Sequence, residues 1–213
     1  SEEHSNTKFE KLLKTSKKTI FKPINLSEKN KEFFYGECLS FYKDLTEVLK
    51  LKKVSFFQLR LKNTPFKKKI VIAKKIKKIC KKYNTKFLIN DDVLLAKKLN
   101  TDGCHLGQKD MKILEARKIL KKKIIGITCH NSIKLAKYAI KKKADYLAFG
   151  AFNISKTKKV KFKANFNLLK KIKKITKTPI VAIGGINSEN YKKLLLNKAN
   201  FLAISGYIWN NKK

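Results

Sequence analysis

The stretch VSFFQLRLKNTPFKKKIVIAKKIKKICKKYNTKFLINDDVLLAKKLNTDGCHL, residues 54–106, decides the fold. It opens with a short β-rich apolar run, Val54–Leu59, and passes into a lysine-studded segment, residues 66–83. There Ile70, Ala73, Ile76 and Ile79 recur at helical spacing against Lys74, Lys75, Lys77 and Lys78, the pattern of an amphipathic helix with one solvated face. A second run, Lys86–Ile89, a second helical pattern, 91–99, and a third run, Gly103–Leu106, repeat the unit. Strands that alternate with helices at this spacing lie parallel and connect by right-handed crossovers.

Toward the C-terminus the alternation continues through Ile124–Thr128, Tyr146–Phe149, Pro179–Ile183 and Phe201–Ser205, with helical patterns at 111–121, 132–142, 165–175 and 188–196. Toward the N-terminus it reaches a strand at Thr19–Ile24 and a helix at Glu37–Leu51, and Tyr207–Asn211 begins a last helix. Eight such units in 213 residues predict an α/β fold, a (β/α)8 TIM barrel forming a single domain over 19–213. Residues 1–18 read as a flexible or extra N-terminal segment. Of the eight glycines only Gly36 lies away from the strand segments, and strand-to-helix loops are where a barrel builds its catalytic face.

The formal net charge of +38 first suggests a nucleic-acid binder. Of the 53 basic residues, however, only Arg60 and Arg117 are arginines, whereas guanine readers rely on Arg forks. The lysines are spread over the whole length at polar helix positions, so no specific nucleic-acid partner is expected, only weak polyanion binding. No run of about 18 apolar residues occurs and Ser1–Lys18 lacks the apolar stretch of a secretory signal, so no membrane partner and a cytoplasmic location are expected. Cys38, Cys80, Cys104 and Cys129 form no C-x-x-C pair and read as free, buried thiols.

Segments at the strand C-termini carry polar groups that a core would reject. In Gln58-Leu59-Arg60-Leu61-Lys62 the alternation puts Gln58, Arg60 and Lys62 on one face, where a polyphosphate would partner the cations; an edge strand with solvated charges is the plain alternative. Asn90 and Asp91 follow the third strand, and Asp92 fits a helix N-cap. Asp110 ends the segment His105–Asp110 after the fourth strand, and with Asp91 it would close on one Mg²⁺, which takes one or two carboxylates plus phosphate oxygens. Thr128 can donate its hydroxyl to a phosphate, and His130 reads as a polar wall or loop residue. A zinc site on His105 and His130 lacks the third protein ligand that catalytic zinc takes. Ser155, Thr157 and Lys158 follow Gly150 in a loop suited to anion capture or simply solvated, while Gly184-Gly185 and Ser205-Gly206 match the phosphate site that many barrels build after strands seven and eight.

In order, these segments resemble the thiamine phosphate synthase family, whose pattern runs Q-L-R-x-K, I-N-D, H-L-G-Q-x-D, G-x-[ST]-x-H, a glycine-led F-P-T-x-T-K loop and A-I-G-G-I. This chain shows QLRLK at 58–62, IND at 89–91, HLGQKD at 105–110, GITCH at 126–130 and AIGGI at 182–186. The resemblance implies a transferase of thiamine biosynthesis. It would condense 4-amino-2-methyl-5-pyrimidinylmethyl diphosphate with 4-methyl-5-(2-phosphoethyl)thiazole, or its carboxylate, to thiamine phosphate and diphosphate through a Mg²⁺-assisted dissociative substitution.

It further implies that Gln58, Arg60, Lys62 and Asn90 hold the pyrimidine diphosphate, that Asp91 and Asp110 bind Mg²⁺, and that Thr128 touches the diphosphate or the pyrimidine. Ser155, Thr157 and Lys158 would face the thiazole phosphate and the leaving diphosphate, and Gly185, Ser205 and Gly206 would cradle the thiazole phosphate. Arg60, Lys62, Thr128 and Lys158 are thereby the catalytic candidates. Three departures stand out: Leu61 replaces the usual Glu, Asn153-Ile154-Ser155 replaces Phe-Pro-Thr, and Thr128 stands where Ser is common. The partners expected are the two small-molecule substrates, and a homo-oligomer is compatible with the sequence. The rival readings are a related barrel that isomerises a thiazole phosphate with a histidine like His130, and a basic RNA-binding protein. The second would interleave aromatics with basic residues on one surface, whereas here Phe and Tyr mostly occupy strand or core-like positions.

Overall fold

The computed structural model describes residues 19–21, 34–153 and 161–209. The N-terminal segment 1–18, the end of the strand expected at Thr19–Ile24, and Ser155, Thr157 and Lys158 lie outside the described residues. The strands are β1 (Thr19–Phe21), β2 (Val54–Leu59), β3 (Lys86–Asn90), β4 (Gly103–Leu106), β5 (Ile124–His130), β6 (Tyr146–Phe149), β7 (Ile180–Ile183) and β8 (Phe201–Ile204). Between and after them come α1 (Phe34–Lys50), α2 (Phe66–Lys82), α3 (Val93–Lys98), α4 (Ile113–Leu120), α5 (Ile133–Lys141), α6 (Phe166–Ile175), α7 (Tyr191–Leu196) and α8 (Gly206–Trp209). The strands close into a barrel in chain order, every pair parallel, and β1 completes the ring against β8.

Period-two alternation sorts the strand side chains into two cores. Leu88, Tyr146, Ala148, Val181 and Ala203 fill the barrel interior, with Phe56, Ile124, Ile183 and Phe201 packed against them. Their alternates, among them Phe57, Phe87, Cys104, Ile125, Leu147 and Leu202, face the helices. On α2 the buried stripe is Ile72, Ala73, Ile76 and Cys80, with Ile70 and Ile79 half-buried. The apolar face is thus rotated by a fraction of a turn from the expected stripe, because the β-sheet beneath also takes up Ile72 and Cys80.

At the base of the barrel one device recurs. Asp102, just before β4, accepts the backbone N–H of Phe87 in β3 at 2.9 Å. Asp145, just before β6, accepts the N–H of Ile125 in β5 at 2.7 Å, and Asn200, just before β8, accepts that of Ile180 in β7 at 2.9 Å. Each is held by a cation: Lys86 on Asp102, Arg117 on Asp145 and Lys173 on Asn200. Arg117 also donates to the carbonyls of Lys121, Lys123 and Lys143, so one of the two arginines is accounted for by architecture. At the opposite rim Asp92, Ser132 and Asn165 cap α3, α5 and α6 by accepting N–H groups of Leu95, Leu135 and Leu168. No described helix is long and apolar enough to cross a membrane.

Candidate active site

The strand C-termini converge on a cavity of about 450 Å³ whose wall includes Arg60, Leu61, Lys69, Asn90, Asp91, Asp92, Asp110 and Met111. That volume lies in the range of small-molecule sites. Gln58 is the last inward residue of β2 and Arg60 follows the strand's end, so both keep the inward phase. Gln58 is 1% exposed, and its Oε1 has no hydrogen-bond partner among the described residues. Beyond Leu59 the strand stops, and the expected alternation stops with it. Leu61 lines the cavity, while Lys62 is exposed and outside that wall, its carbonyl accepting the hydroxyl of Thr64 at 3.2 Å.

Asn90 closes β3, and Asp91 turns the chain with φ at 68°, a left-handed conformation that Asp tolerates better than most residues. Its N–H donates to the carbonyl of His105 at 2.8 Å, tying the β3 end to β4. The following loop is folded back on itself: Gly107 N–H donates to Asp110 Oδ2 at 2.6 Å. Asp91 and Asp110 therefore share one cavity. Asp92 accepts Lys69 Nζ at 3.4 Å through Oδ2 while its Oδ1 caps α3, as expected for that residue. Burial holds the Cys104 thiol beneath this floor well above its ordinary pKa, and the carboxylates of Asp91, Asp92 and Asp110 add to the effect. Hard carboxylate oxygens gathered at one spot are a donor set that suits Mg²⁺. No cluster of three or more His, Cys, Asp and Glu of metal-binding form occurs among the described residues.

Inside the barrel a polar chain links β6, β4 and β5. Tyr146 Oη lies 2.8 Å from His105 Nδ1, and His105 Nε2 lies 2.7 Å from Thr128 Oγ1. The two rings stack at 5.5 Å. The Gln108 amide donates to the Thr128 carbonyl. Both ring nitrogens of His105 are thus engaged by protein groups. His130 is remote from that pattern: it ends β5 with φ at 52° and stacks on Phe162 at 4.2 Å. The two histidines do not form a zinc site.

Across the rim, Gly184 and Gly185 take positive φ of 102° and 59°. A Cβ at Gly184 would sit 2.4 Å from that of Ala151, so the β6 and β7 loops meet backbone to backbone. Phe152 N–H and Asn153 N–H donate to the carbonyls of Ile183 and Gly184, and Ala151 pairs with Phe162 and Ala164. This lattice pins the described ends of the loop that carries Ser155, Thr157 and Lys158. Asn190 Nδ2 donates to the Gly185 carbonyl at 2.8 Å, and Tyr207 Oη donates to Ser188 Oγ at 2.9 Å, joining the turn after β7 to that of Ser205 and Gly206 after β8.

A family model described as thiamine monophosphate synthase matches residues 36–208. The chain belongs to the thiamine monophosphate synthase family. The thiamine-phosphate synthase of Pelagibacter ubique (strain HTCC1062) is 71% identical over 175 residues, covering 82% of this chain and 84% of that protein. The thiamine-phosphate synthase of Saccharophagus degradans is 42% identical over 152 residues, 71% of this chain and 70% of its own length. Among solved structures, a thiamine phosphate pyrophosphorylase from Pyrococcus furiosus superimposes with a TM-score of 0.75 at 27% identity, covering 90% of this chain and 87% of that one.

Within this thiamine monophosphate synthase barrel, three participants escape a sequence reading. Lys69 belongs to the run Lys67-Lys68-Lys69, and only its position on the first turn of α2 turns it to the cavity. Gln108 and Tyr146 act through contacts between strands. For Tyr146 one signal existed: an aromatic hydroxyl opening an otherwise apolar strand needs a buried partner.

Proposed function

We propose that this chain is a thiamine-phosphate synthase acting on a pyrimidine diphosphate and a thiazole phosphate in the cytoplasm, its residues 19–213 working as one barrel domain. The observation that carries the reading is the cavity at the strand C-termini whose lining brings together Arg60, Lys69, Asp91 and Asp110. Cations and carboxylates on one wall suit a diphosphate carried with a divalent ion, since neither sign alone would neutralise the other's ligand. Asp91 and Asp110 would hold Mg²⁺, which when bound offsets the charge of the departing diphosphate.

The remaining chemistry belongs to the chain. Gln58 Oε1, buried and lacking a partner among the described residues, is available to accept a hydrogen bond from the pyrimidine amino group. Arg60 and Asn90, both in the cavity wall, hold the diphosphate, and the Thr128 hydroxyl donates to it or to the pyrimidine; Lys62, exposed outside that wall, is not part of the clamp. The bond from the benzylic-type carbon to diphosphate oxygen breaks with its electron pair leaving on oxygen. The thiazole nitrogen lone pair then forms the new C–N bond. Charge grows on the departing oxygens, so fixed donors there stabilise the transition state more than the ground state. Leu61, Val93, Leu94 and Met111 make the apolar part of the wall, which limits capture of the cation by water. The turns at Gly185 and at Ser205 and Gly206 hold the thiazole phosphate in line, and the family resemblance assigns Ser155, Thr157 and Lys158 to it and to the leaving diphosphate. Isomerisation of a thiazole phosphate, the rival barrel chemistry, would leave the paired carboxylates without a role.

The test is product formation from the two substrates with Mg²⁺ and with chelator. Thiamine phosphate and diphosphate released only with Mg²⁺ is the expected outcome. Arg60→Ala and Asp91→Ala should each lower turnover at least ~100-fold with unchanged circular dichroism, since each removes a charge-assisted contact to the leaving group. Undiminished activity in both variants would overturn the site.

A further inference from the structure

Three features invite a further role: the lysine-covered surface, the exposed apolar side chains Leu94 and Phe66, and the buried chain from Gln58 to Thr128. Nothing in the structure says what would cover the second, and the first is diffuse. The third has a direction written into it.

Tyr146 sits at the start of β6 with 5% exposure, and its ring occupies space left by Gly126, where a Cβ would lie 1.8 Å from the ring. Burial holds the phenol far above its ordinary pKa, so it keeps its proton. The Gln58 side chain hydrogen-bonds the phenol and counters part of that rise. An amide whose oxygen has no partner meets the phenol through its N–H group, as a donor. Gln58 Oε1, correspondingly, has no partner among the described residues, so the phenol hydrogen does not go there. It goes to His105 Nδ1, 2.8 Å away. An imidazole that accepts at Nδ1 carries its hydrogen on Nε2 when neutral. His105 Nε2 therefore donates to Thr128 Oγ1 at 2.7 Å. With its oxygen occupied as an acceptor, the half-buried Thr128 has its single hydroxyl hydrogen left for an acceptor beyond the protein chain.

We propose that His105 is a positioning residue which Tyr146 holds in the Nε2–H form, so that the Thr128 hydroxyl is fixed as a donor toward the substrates. This rests on the synthase reading, in which the acceptor is the diphosphate or the pyrimidine. Every hydrogen bond in the chain Gln58, Tyr146, His105, Thr128 points the same way, and aligned bonds polarise one another. A hydroxyl locked in advance loses no rotational freedom when charge develops on its acceptor.

Two measurements test it. The chain has three histidines, so ¹⁵N shifts of the His105 ring can be assigned in labelled full-length protein without substrate. Hydrogen on Nε2 and a bare Nδ1 are expected; hydrogen on Nδ1 overturns the proposal. The second is a double-mutant cycle on kcat with Tyr146→Phe, which keeps the ring, and Thr128→Val. Loss of a hydrogen bond to a charged acceptor predicts a kcat lower by roughly 10- to 100-fold for Thr128→Val, and Tyr146→Phe should cost about tenfold. In the Thr128→Val background Tyr146→Phe should then cost nothing, and Thr128→Ser should restore sensitivity to it. Independent, multiplicative losses in a chain whose wild type is active overturn the positioning role while leaving the synthase reading intact. A wild type that makes no thiamine phosphate overturns both.

Discussion

At the scale of the residue, the barrel interior depends on one missing methyl group. Gly126 in β5 is paired with Tyr146 in β6, and the tyrosine ring lies where any β-carbon on residue 126 would go. Gly126→Ala therefore forces either the ring or a strand to move in a packed interior, where overpacking costs about 1–3 kcal/mol. Thermal denaturation should show a Tm lower by roughly 3–10 °C for a domain of this size. Because the ring carries the phenol bonded to His105, kcat should fall further than the stability loss explains at temperatures where the variant is fully folded. A variant with wild-type Tm would show that the strands yield without strain. The glycine itself was visible in the motif GITCH, but its reason was not: the neighbour that fills its space lies twenty residues away and meets it only when β5 and β6 pair.

At the scale of the element, the base of the barrel is stapled at alternate strands by Asp102, Asp145 and Asn200, each accepting one N–H from the first two residues of the preceding strand. Asp145 is the most heavily engaged, since Arg117 both pairs with it and collects three carbonyls from two loops. Asp145→Ala should destabilise the chain by about 1–3 kcal/mol, the cost of leaving a buried backbone donor unmet, whereas Glu47→Ala in the exposed pair with Lys50 should cost under ~1 kcal/mol. Chemical denaturation of the two variants side by side measures the difference; equal losses would mean that water satisfies Ile125 N–H. These staples show why elements are easier to read than their fastenings. Strands and helices announce themselves through periods of two and 3.6 residues, and seven of the strands were placed within two residues of their bounds. A site residue is legible only as far as the strand that carries it keeps its phase. Arg60, Asn90, Asp91 and Asp110 kept that phase or followed a turn of fixed form, and they line one cavity, while Gln58 kept the phase but is buried outside that lining. Lys62 lies beyond the last paired residue of β2, where alternation no longer dictates direction, and Lys69 was hidden in a lysine run whose members differ only in helical angle.

At the scale of the whole molecule, 53 basic residues against 15 acidic ones set a strongly positive field around the cavity, which the proposed function fills with two anionic substrates. The lysines of α2, α5 and α6 are largely exposed, so this field is carried mostly by solvated ammonium groups rather than by ion pairs. Such charge adds little to the stability of the fold, but it draws anions toward the molecule over distances of a Debye length, about 10 Å at 0.1 M salt. Steering acts on encounter and not on the bound complex. Hence kcat/KM for the pyrimidine diphosphate should fall roughly tenfold between about 20 and 200 mM NaCl, while kcat changes much less. Polyanions should compete over the same range, and RNA of any sequence should do so equally, because lysine contacts to phosphate carry no base information. Steady-state kinetics across a salt series, repeated with two unrelated RNA sequences as competitors, decides the matter. A flat kcat/KM would mean that encounter is not helped by the surface charge, and a sequence-dependent competition would reopen a nucleic-acid role for the lysine-covered face.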